Sequence, residues 1–217
     1  MKEILDFFSR IRENNNREWF DENRTVYQLV RSKFAGLVSE LITEIQSFDS
    51  SVGPVQASDC IFRINRDIRF SKDKTPYKTN IGAFIARGGR KTVFPGYYIH
   101  LEPGGSFAAG GMYMPAPPEL KKIRQEIYFN ASEFRALLEA KNFKKLFDGL
   151  SADAVLKRPP REYAGFSDAD LLLYKSFTVS RPLPDAVVTA SGFKEHLAET
   201  FRTMKPLNDF LNRALDS

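Results

Sequence analysis

Six basic side chains stand within sixteen consecutive residues, 63–78, which read RINRDIRFSKDKTPYK. Only two acidic residues, Asp67 and Asp73, accompany them, so the segment carries an excess of four positive charges. The whole chain has a formal net charge of +5, so most of its excess lies in this segment. Guanidinium forks bind phosphate or carboxylate bidentately, and ammonium groups bind them as point charges. The segment therefore predicts a site for an anion.

Polar and apolar residues alternate over 60–70, which predicts a half-buried strand with one polar face. Arg63, Asp67 and Arg69 lie on that face. The following stretch, 71–78, predicts a loop that a proline stiffens, so that its lysines are held in place. The candidate ligand-binding residues are Arg63, Arg66, Arg69, Ser71, Lys74, Tyr77, Lys78 and Tyr98.

A hairpin is predicted from residues 96–102 and 106–114, around a Pro-Gly-Gly turn. Tyr98 and His100 share a face of its first strand, and two alanines and two glycines occupy the second strand. A short loop would set His100 opposite an alanine and Tyr98 opposite a glycine, which leaves a groove beside both side chains. The alternative is that the small residues admit a bulky side chain from a helix.

His100 and Asp67 are the candidate catalytic residues. His100 could act as a general base, with Asp67 or Glu102 orienting its ring. The alternative is a hydrogen-bonded histidine with a structural role in its strand. The chain contains only two histidines, so no metal site is predicted, and a set of His100, Glu102 and Asp67 around a metal is disfavoured.

The sequence contains two near misses to known catalytic motifs and identifies no cofactor. ARGGRKT at 86–92 ends like a P-loop, but an arginine stands where the second glycine must be. GGSFA at 104–108 resembles a nucleophile elbow without its final glycine, and it falls in a hairpin turn. GxGxxG, HExxH and CxxC patterns do not occur.

The order of elements along the chain is typical of an α+β protein. Periodic apolar residues predict a first helix at 4–11 and a second that runs to residue 48. Strands follow at 60–70, 82–87, 96–102 and 106–114, then helices from residue 117, an edge strand at 177–182, a late helix from 193 and a last short helix from Pro206. We expect a mostly antiparallel sheet of about 4–6 strands, packed with N-terminal and C-terminal helices.

Length and composition predict one domain over residues 1–217. Cys60 is the only cysteine, which excludes an intramolecular disulfide and favours a reducing compartment. The N-terminal residues carry no secretory signal, and no apolar run approaches the roughly 20 residues that span a bilayer. The expectation is therefore a cytoplasmic protein with no membrane partner.

Three segments resemble the family called domain of unknown function 2461: NNREWF at 15–20, FRINRDIRFSKDKTPYKTNIG at 62–82 and GYYIHLEPGG at 96–105. The likeness covers nearly the whole chain, although the loop at 157–163 departs from the family's pattern. It implies a single compact α+β domain whose activity is unassigned. It supplies no catalytic residues. The longest motif falls on Arg66, Asp67, Arg69, Phe70, Ser71, Asp73, Lys74, Pro76, Tyr77 and Lys78, and the tyrosine-rich strand on Tyr97 and Tyr98.

Three functions remain open from the sequence. The first is a basic pocket that binds a phosphorylated or carboxylated small molecule, with or without catalysis. The second is a structural or interaction module in which the charged motif forms an internal network of ion pairs. The third is nucleic-acid binding through the same Arg and Lys surface, with Tyr77 or Tyr98 stacking on bases.

Overall fold

A computed structural model describes residues 1–152 and 154–216, and within them four α-helices precede the sheet. Apolar residues at three- and four-residue spacing bury one side of each of the two long helices. The first two predicted helices are therefore confirmed. The exceptions are Val26 and Leu29, which are 39% and 63% exposed although they continue the apolar pattern. The four helices are α1 (Lys2–Glu13), α2 (Arg17–Glu22), α3 (Arg24–Phe48) and α4 (Ala57–Cys60), and a 3₁₀ turn covers Ser50–Val52.

Four antiparallel strands form one sheet in the order in which they occur along the chain. They are β1 (Ile81–Ala86), β2 (Gly96–Leu101), β3 (Phe107–Met112) and β4 (Phe177–Pro182). The α+β fold with an antiparallel sheet is confirmed, as are the hairpin and the edge position of β4.

Helices complete the chain on both sides of β4. The prediction of a new helix at Pro206 is wrong, because that proline lies inside one long helix, α9. A proline costs a helix interior about 3 kcal/mol. Met204 and Leu207 on either side of it are fully buried, and their burial outweighs that cost. The helices are α5 (Pro117–Phe129), α6 (Ala131–Glu139), α7 (Lys141–Leu146), α8 (Asp185–Thr189) and α9 (Phe193–Asp216), with 3₁₀ turns at Arg161–Tyr163 and Ala169–Leu172.

The predicted strand at 60–70 is also wrong. Only single bridges occur there, Ile61 with Ala83 and Asn65 with Tyr77, and the rest of the segment is irregular. The alternating sequence mimics a strand, but aspartates in and after it accept hydrogen bonds from nearby backbone N–H groups. Such local bonds compete with a strand ladder for the backbone.

The two faces of the sheet have different surroundings. One face packs against helices: the Tyr97 ring lies 5.4 Å from that of Phe201 in α9, and its hydroxyl donates to Asp49 at 2.6 Å. The alternate residues of the same strand, Tyr98 and His100, lie on the other face and are half-buried. That second face is the floor of the site described below. Within residues 1–152 and 154–216, no helix combines the length and the apolar character needed to cross a bilayer.

Candidate functional site

A cleft of about 860 Å³ lies over the second face of the sheet, and we call it the sheet cleft. Its floor comes from all four strands. Its walls come from the segment between α4 and β1, the segment between β1 and β2, the stretch that leads into and begins α5, and Ser151. The floor includes Gly82, Phe84, Tyr98, Phe107, Ala109, Gly111, Met112, Thr178 and Ser180. The walls include Phe62, Arg63, Lys78, Asn80, Arg90, Thr92, Val93, Phe94, Tyr113, Met114, Pro115, Ala116, Glu119 and Ser151.

Arg63 and Lys78 bring two positive charges to one wall of the sheet cleft. They lie at opposite ends of the basic segment, residues 63–78, whose two arms are held together by backbone hydrogen bonds. Lys78 N–H donates to Ile64 O at 2.9 Å, and Arg66 N–H donates to Pro76 O at 2.9 Å. Residues that are fifteen positions apart in the sequence therefore lie beside the same cavity.

In the described part of the chain, these two cations have no direct acceptor for their side chains. Over residues 1–152 and 154–216, neither Arg63 nor Lys78 forms a hydrogen bond or an ion pair through its side chain. Lys78 Nζ instead lies 5.4 Å from the ring centroid of Phe62. Burial lowers the pKa of Lys78, and the positive charge of Arg63 lowers it further. An anion between the two cations would favour the charged form of Lys78 and so offset this lowering of its pKa.

The middle of the basic segment forms its own internal contacts. Arg66 binds the Asp73 carboxylate and the Thr75 hydroxyl, and it also donates to Thr75 O at 3.2 Å. Asp73 accepts from Thr75 N–H at 2.9 Å. This backbone bond, then the Arg66 bond, lowers the pKa of Asp73 to about 2. We call these contacts the Arg66–Asp73 brace.

The remaining ligand-binding candidates lie outside the lining of the sheet cleft. Arg69 forms a two-bond ion pair with Asp67, at 3.0 and 2.7 Å, and Lys74 Nζ donates to Ile68 O at 2.9 Å. Tyr77 is buried and stacks on Phe20 at 4.1 Å between ring centroids. Arg66 lies in the brace, and Ser71 is a half-buried residue of the loop. Arg63, Lys78 and Tyr98 are the candidates that line the cavity.

A chain of hydrogen bonds leads from the floor of the sheet cleft towards the protein surface. The Tyr98 hydroxyl lies 3.0 Å from His100 Nδ1, and His100 Nε2 lies 3.1 Å from Glu102 Oε2. Glu102 Oε1 accepts from the Thr79 hydroxyl at 2.7 Å and from Arg12 at 3.2 Å. We call the first three residues the Tyr98 relay.

The surroundings of the Tyr98 relay determine where its protons lie. Burial, and then the charge of Glu102, raise the pKa of Tyr98 to about 12. Burial also raises the pKa of Glu102, but hydrogen bonds from Thr79 and His100 outweigh it and leave that pKa below its usual value. Tyr98 is therefore a phenol and Glu102 a carboxylate at neutral pH. The hydrogen bonds are then satisfied when Tyr98 donates to Nδ1 and the ring proton on Nε2 is donated to Glu102.

The pairing predicted for the hairpin is wrong. His100 lies opposite Phe107 and Tyr98 lies opposite Ala109. The connecting loop is longer than the short loop predicted, because Ser106 Oγ donates to Glu102 O and accepts from Glu102 N–H, and so closes a loop of residues 102–106. The glycine that faces His100 comes instead from β1, at Gly82.

Gly82 is a site residue that the sequence analysis did not identify. A Cβ atom at this position would lie 2.7 Å from the Tyr98 hydroxyl oxygen, so the space for that hydroxyl exists because residue 82 is a glycine. Its signal in the sequence is a glycine inside a predicted strand, which often marks a close approach of another group.

Glu119 and Arg90 also line the sheet cleft and have no motif that would have revealed them. Among the residues that the structure describes, Glu119 Oε2 is buried and lacks a hydrogen-bond partner. Arg90 donates to Ser58 O at 2.9 Å and to Asp59 O at 2.7 Å, so its guanidinium already has protein partners. A polar group of a bound molecule could donate to the Glu119 oxygen.

The two catalytic candidates are placed differently. His100 stacks on Phe107, with ring centroids 4.7 Å apart, behind Tyr98 rather than on the cavity surface. The carboxylate that binds it is Glu102, whereas Asp67 binds Arg69. In the described part of the chain, no three His, Cys, Asp or Glu side chains are grouped so that they could hold a metal ion.

We expect Asp73→Ala to loosen the basic segment without unfolding the protein, because Asp73 is exposed and its partners are all local. Amide hydrogen exchange over residues 64–78 should become faster, since the brace holds the two arms together. Hydrogen-exchange mass spectrometry measures this directly. Asp67→Asn is the control, since it removes only the Arg69 pair and should leave that exchange unchanged. Equal exchange in Asp73→Ala and the unmodified protein would contradict the role of the brace.

Comparison with known proteins identifies a family for the chain. A family model described as "Conserved hypothetical protein (DUF2461)" matches residues 3–210. No curated protein and no solved structure matches the chain.

Proposed function

We propose that this chain, which belongs to the DUF2461 family of conserved hypothetical proteins, binds a small molecule with an apolar body and one carboxylate or phosphate group in the sheet cleft. The observation that carries the proposal is the pair of cations on one wall, Arg63 and Lys78, which have no acceptor among the described residues. Two neighbouring like charges that form no direct ion pair attract an anion into the space between them.

The rest of the lining supports an apolar body for the ligand. The rings of Phe62, Phe84 and Phe107 and the thioether of Met112 face the cavity. Small-molecule sites typically have apolar linings with a few polar groups that fix orientation, and volumes of roughly 300–1,000 Å³. The sheet cleft, at about 860 Å³, falls within that range.

The charges in the middle of the basic segment favour a localised site over a long charged track. Arg66 and Arg69 are engaged by Asp73 and Asp67, and Lys74 by a backbone carbonyl. This pairing reduces the positive charge that a nucleic-acid backbone would meet along the segment. The Arg66–Asp73 brace also helps to hold together the arms that present Arg63 and Lys78.

Isothermal titration calorimetry with three naphthalene derivatives tests the proposal. Naphthoate and naphthyl phosphate carry the anionic group, and naphthylmethanol is a neutral molecule of similar shape. A hydrogen bond to a charged group contributes about 1.5–3 kcal/mol, so the anions should bind at least about tenfold more tightly than the alcohol. Equal affinity for all three compounds, or no binding of any of them, would overturn the proposal.

The affinity for naphthoate should fall at alkaline pH, and the fall should begin below the usual lysine pKa of 10.5 because the pKa of Lys78 is lowered. Below its pKa in the free protein, Lys78 is charged with or without ligand, so affinity does not change with pH. Above that pKa the free protein has lost the proton and must regain it to bind the anion, so affinity decreases as pH rises. Calorimetry across this range measures the effect. Lys78→Met should remove the pH dependence, and its persistence in that variant would assign the titration to another group.

A further inference from the structure

The Tyr98 relay has a feature that anion binding alone does not require. Its first member, Tyr98, lines the sheet cleft, while His100 and Glu102 lie behind it in a continuous line of hydrogen bonds. A tyrosine that only shaped the cavity would need one acceptor for its hydroxyl, but no carboxylate behind that acceptor. A phenol backed by an imidazole and a carboxylate can instead gain or lose a proton at the cavity surface.

We propose that Tyr98 exchanges a proton with the molecule bound in the sheet cleft, with His100 as the proton acceptor behind it and Glu102 as the group that stabilises the charged ring. The inference rests on the proposed anion site, since that site holds the molecule. The substrate class is an anionic carbonyl compound with an acidic C–H bond next to its carbonyl carbon.

The step balances with the groups present. The substrate C–H bond breaks and its proton passes to Tyr98 Oη, while the hydroxyl proton of Tyr98 passes to His100 Nδ1. The electron pair of the C–H bond forms the C=C bond of an enolate, and the negative charge moves to the carbonyl oxygen. Glu102 stabilises the imidazolium so formed through Nε2, at 3.1 Å. The reverse transfer returns a proton to carbon, and the protein ends unchanged.

Neighbouring residues fix the geometry that this transfer needs. Phe107 stacks on the His100 ring, and Gly82 leaves the space in which the Tyr98 hydroxyl lies. Thr79 and Arg12 hold the Glu102 carboxylate at 2.7 and 3.2 Å. A general base backed by an oriented partner is the arrangement that catalytic proton transfer requires.

The cations lie close enough to the relay to act on the same molecule. Phe62 is a neighbour of both groups: its ring centroid lies 6.1 Å from that of Tyr98 and 5.4 Å from Lys78 Nζ. Lys78 and Arg63 can therefore hold a carboxylate while the carbon that bears the acidic C–H bond, on the far side of the ketone, faces Tyr98. Positive charge beside a developing enolate also lowers the barrier to its formation.

Phenylpyruvate is the probe, because it combines an aromatic body, a carboxylate and an acidic C–H next to a ketone. In deuterium oxide, NMR follows the replacement of its benzylic protons by deuterium. The unmodified protein should accelerate the exchange over buffer, and Tyr98→Phe should reduce that acceleration by about 100-fold or more. Tyr128→Phe, which changes a tyrosine outside the sheet cleft, should leave it unaltered.

His100→Gln and Glu102→Gln test the rest of the relay. Neither residue lines the cavity, so each should lower kcat for exchange with little change in KM, a split that a merely structural role would not produce. Naphthoate affinity should stay within about threefold in His100→Gln and Glu102→Gln, since neither residue lines the cavity and Arg63 and Lys78 hold the anion.

The outcomes separate this inference from the proposed function. If naphthoate binds but phenylpyruvate exchange is no faster than in buffer, or is equally fast in Tyr98→Phe and His100→Gln, the relay inference is overturned and the anion site stands. If naphthoate does not bind, the anion site is overturned, and the relay inference, which rests on it, falls too. Accelerated exchange that is lost in Tyr98→Phe and in His100→Gln, with naphthoate affinity retained in His100→Gln, supports both.

Discussion

Neutralising Arg63 and Lys78 together is expected to lower the affinity for naphthoate by at least about 100-fold. Each cation can form a charge-assisted hydrogen bond with the carboxylate, worth about 1.5–3 kcal/mol, and every 1.4 kcal/mol changes the dissociation constant tenfold. The substitutions Arg63→Gln and Lys78→Met keep side chains of similar length, so the shape of the cavity wall is preserved. Isothermal titration calorimetry gives the affinities of the two single variants and the double variant.

The control for this prediction removes the same amount of charge elsewhere in the basic segment. Arg69→Gln with Lys74→Met also lowers the net charge by two, but neither residue lines the sheet cleft. Its affinity for naphthoate should stay within about threefold of the unmodified protein, because distant exposed charges are screened by salt. If both double variants lose affinity equally, the net charge of the segment attracts the anion and the two wall residues have no special role.

Folding stability gives an independent check on the same variants. The pKa of Lys78 is lower in the folded protein than its usual value, so the fold disfavours the charged form. A lysine with a depressed folded pKa destabilises the protein at neutral pH, and its cost disappears as pH rises above 10.5. Lys78→Met should therefore retain or raise the melting temperature at neutral pH, while it weakens anion binding. A lower melting temperature together with weaker naphthoate binding in Lys78→Met would contradict the conclusion that the fold disfavours the charged form of Lys78.

The sequence predicted the long helices and the hairpin because their signals are periodic and extend over many residues. Buried apolar positions recur through α3 at helical spacing, and tertiary packing agrees with them. Pro206 shows the opposite case, since packing of its neighbours against the core overrides the local preference for a helix end. The strand predicted at 60–70 is wrong because an alternating sequence shows only the order of polar and apolar side chains. It does not show whether the polar side chains will form hydrogen bonds with their own backbone.

The candidate site could be predicted only in part, for a related reason. Charge density identified the basic segment, but composition does not say which cations have partners. Asp73 lies seven residues from Arg66 and pairs with it, while Arg63 and Lys78 meet only because the backbone of the segment folds back on itself. The position of His100 depended on the loop that Ser106 closes, and one added residue in a loop changes every opposing pair.

Gly111→Ala is expected to have the largest effect on stability of any substitution considered. Gly111 has φ of +103°, and a Cβ atom there would lie 2.0 Å from Phe177 O in the neighbouring strand. Strained backbone costs about 1–3 kcal/mol, and overpacking against atoms that cannot move costs about 1–3 kcal/mol more. The total approaches the free energy of unfolding of a typical protein, which is about 5–15 kcal/mol. The melting temperature should therefore fall by about 10 °C or more. Differential scanning calorimetry measures the shift.

Two other glycines make the cause of that loss testable. A Cβ at Gly110 would lie 2.6 Å from the Met204 sulfur and 3.2 Å from Gly96 O, so its severe clash is with a flexible thioether, whereas that at Gly111 is with a backbone carbonyl. Gly110→Ala should therefore cost clearly less than Gly111→Ala, although both lie in β3. Gly36 lies exposed within α3 with nothing within 4 Å, so Gly36→Ala should stabilise the protein by up to about 1 kcal/mol. If Gly110→Ala and Gly111→Ala cost the same, loss of strand flexibility rather than the clash with Phe177 sets the penalty.

Because Gly111 also forms part of the cavity floor, its requirement for glycine links the packing of β3 against β4 to the shape of the sheet cleft.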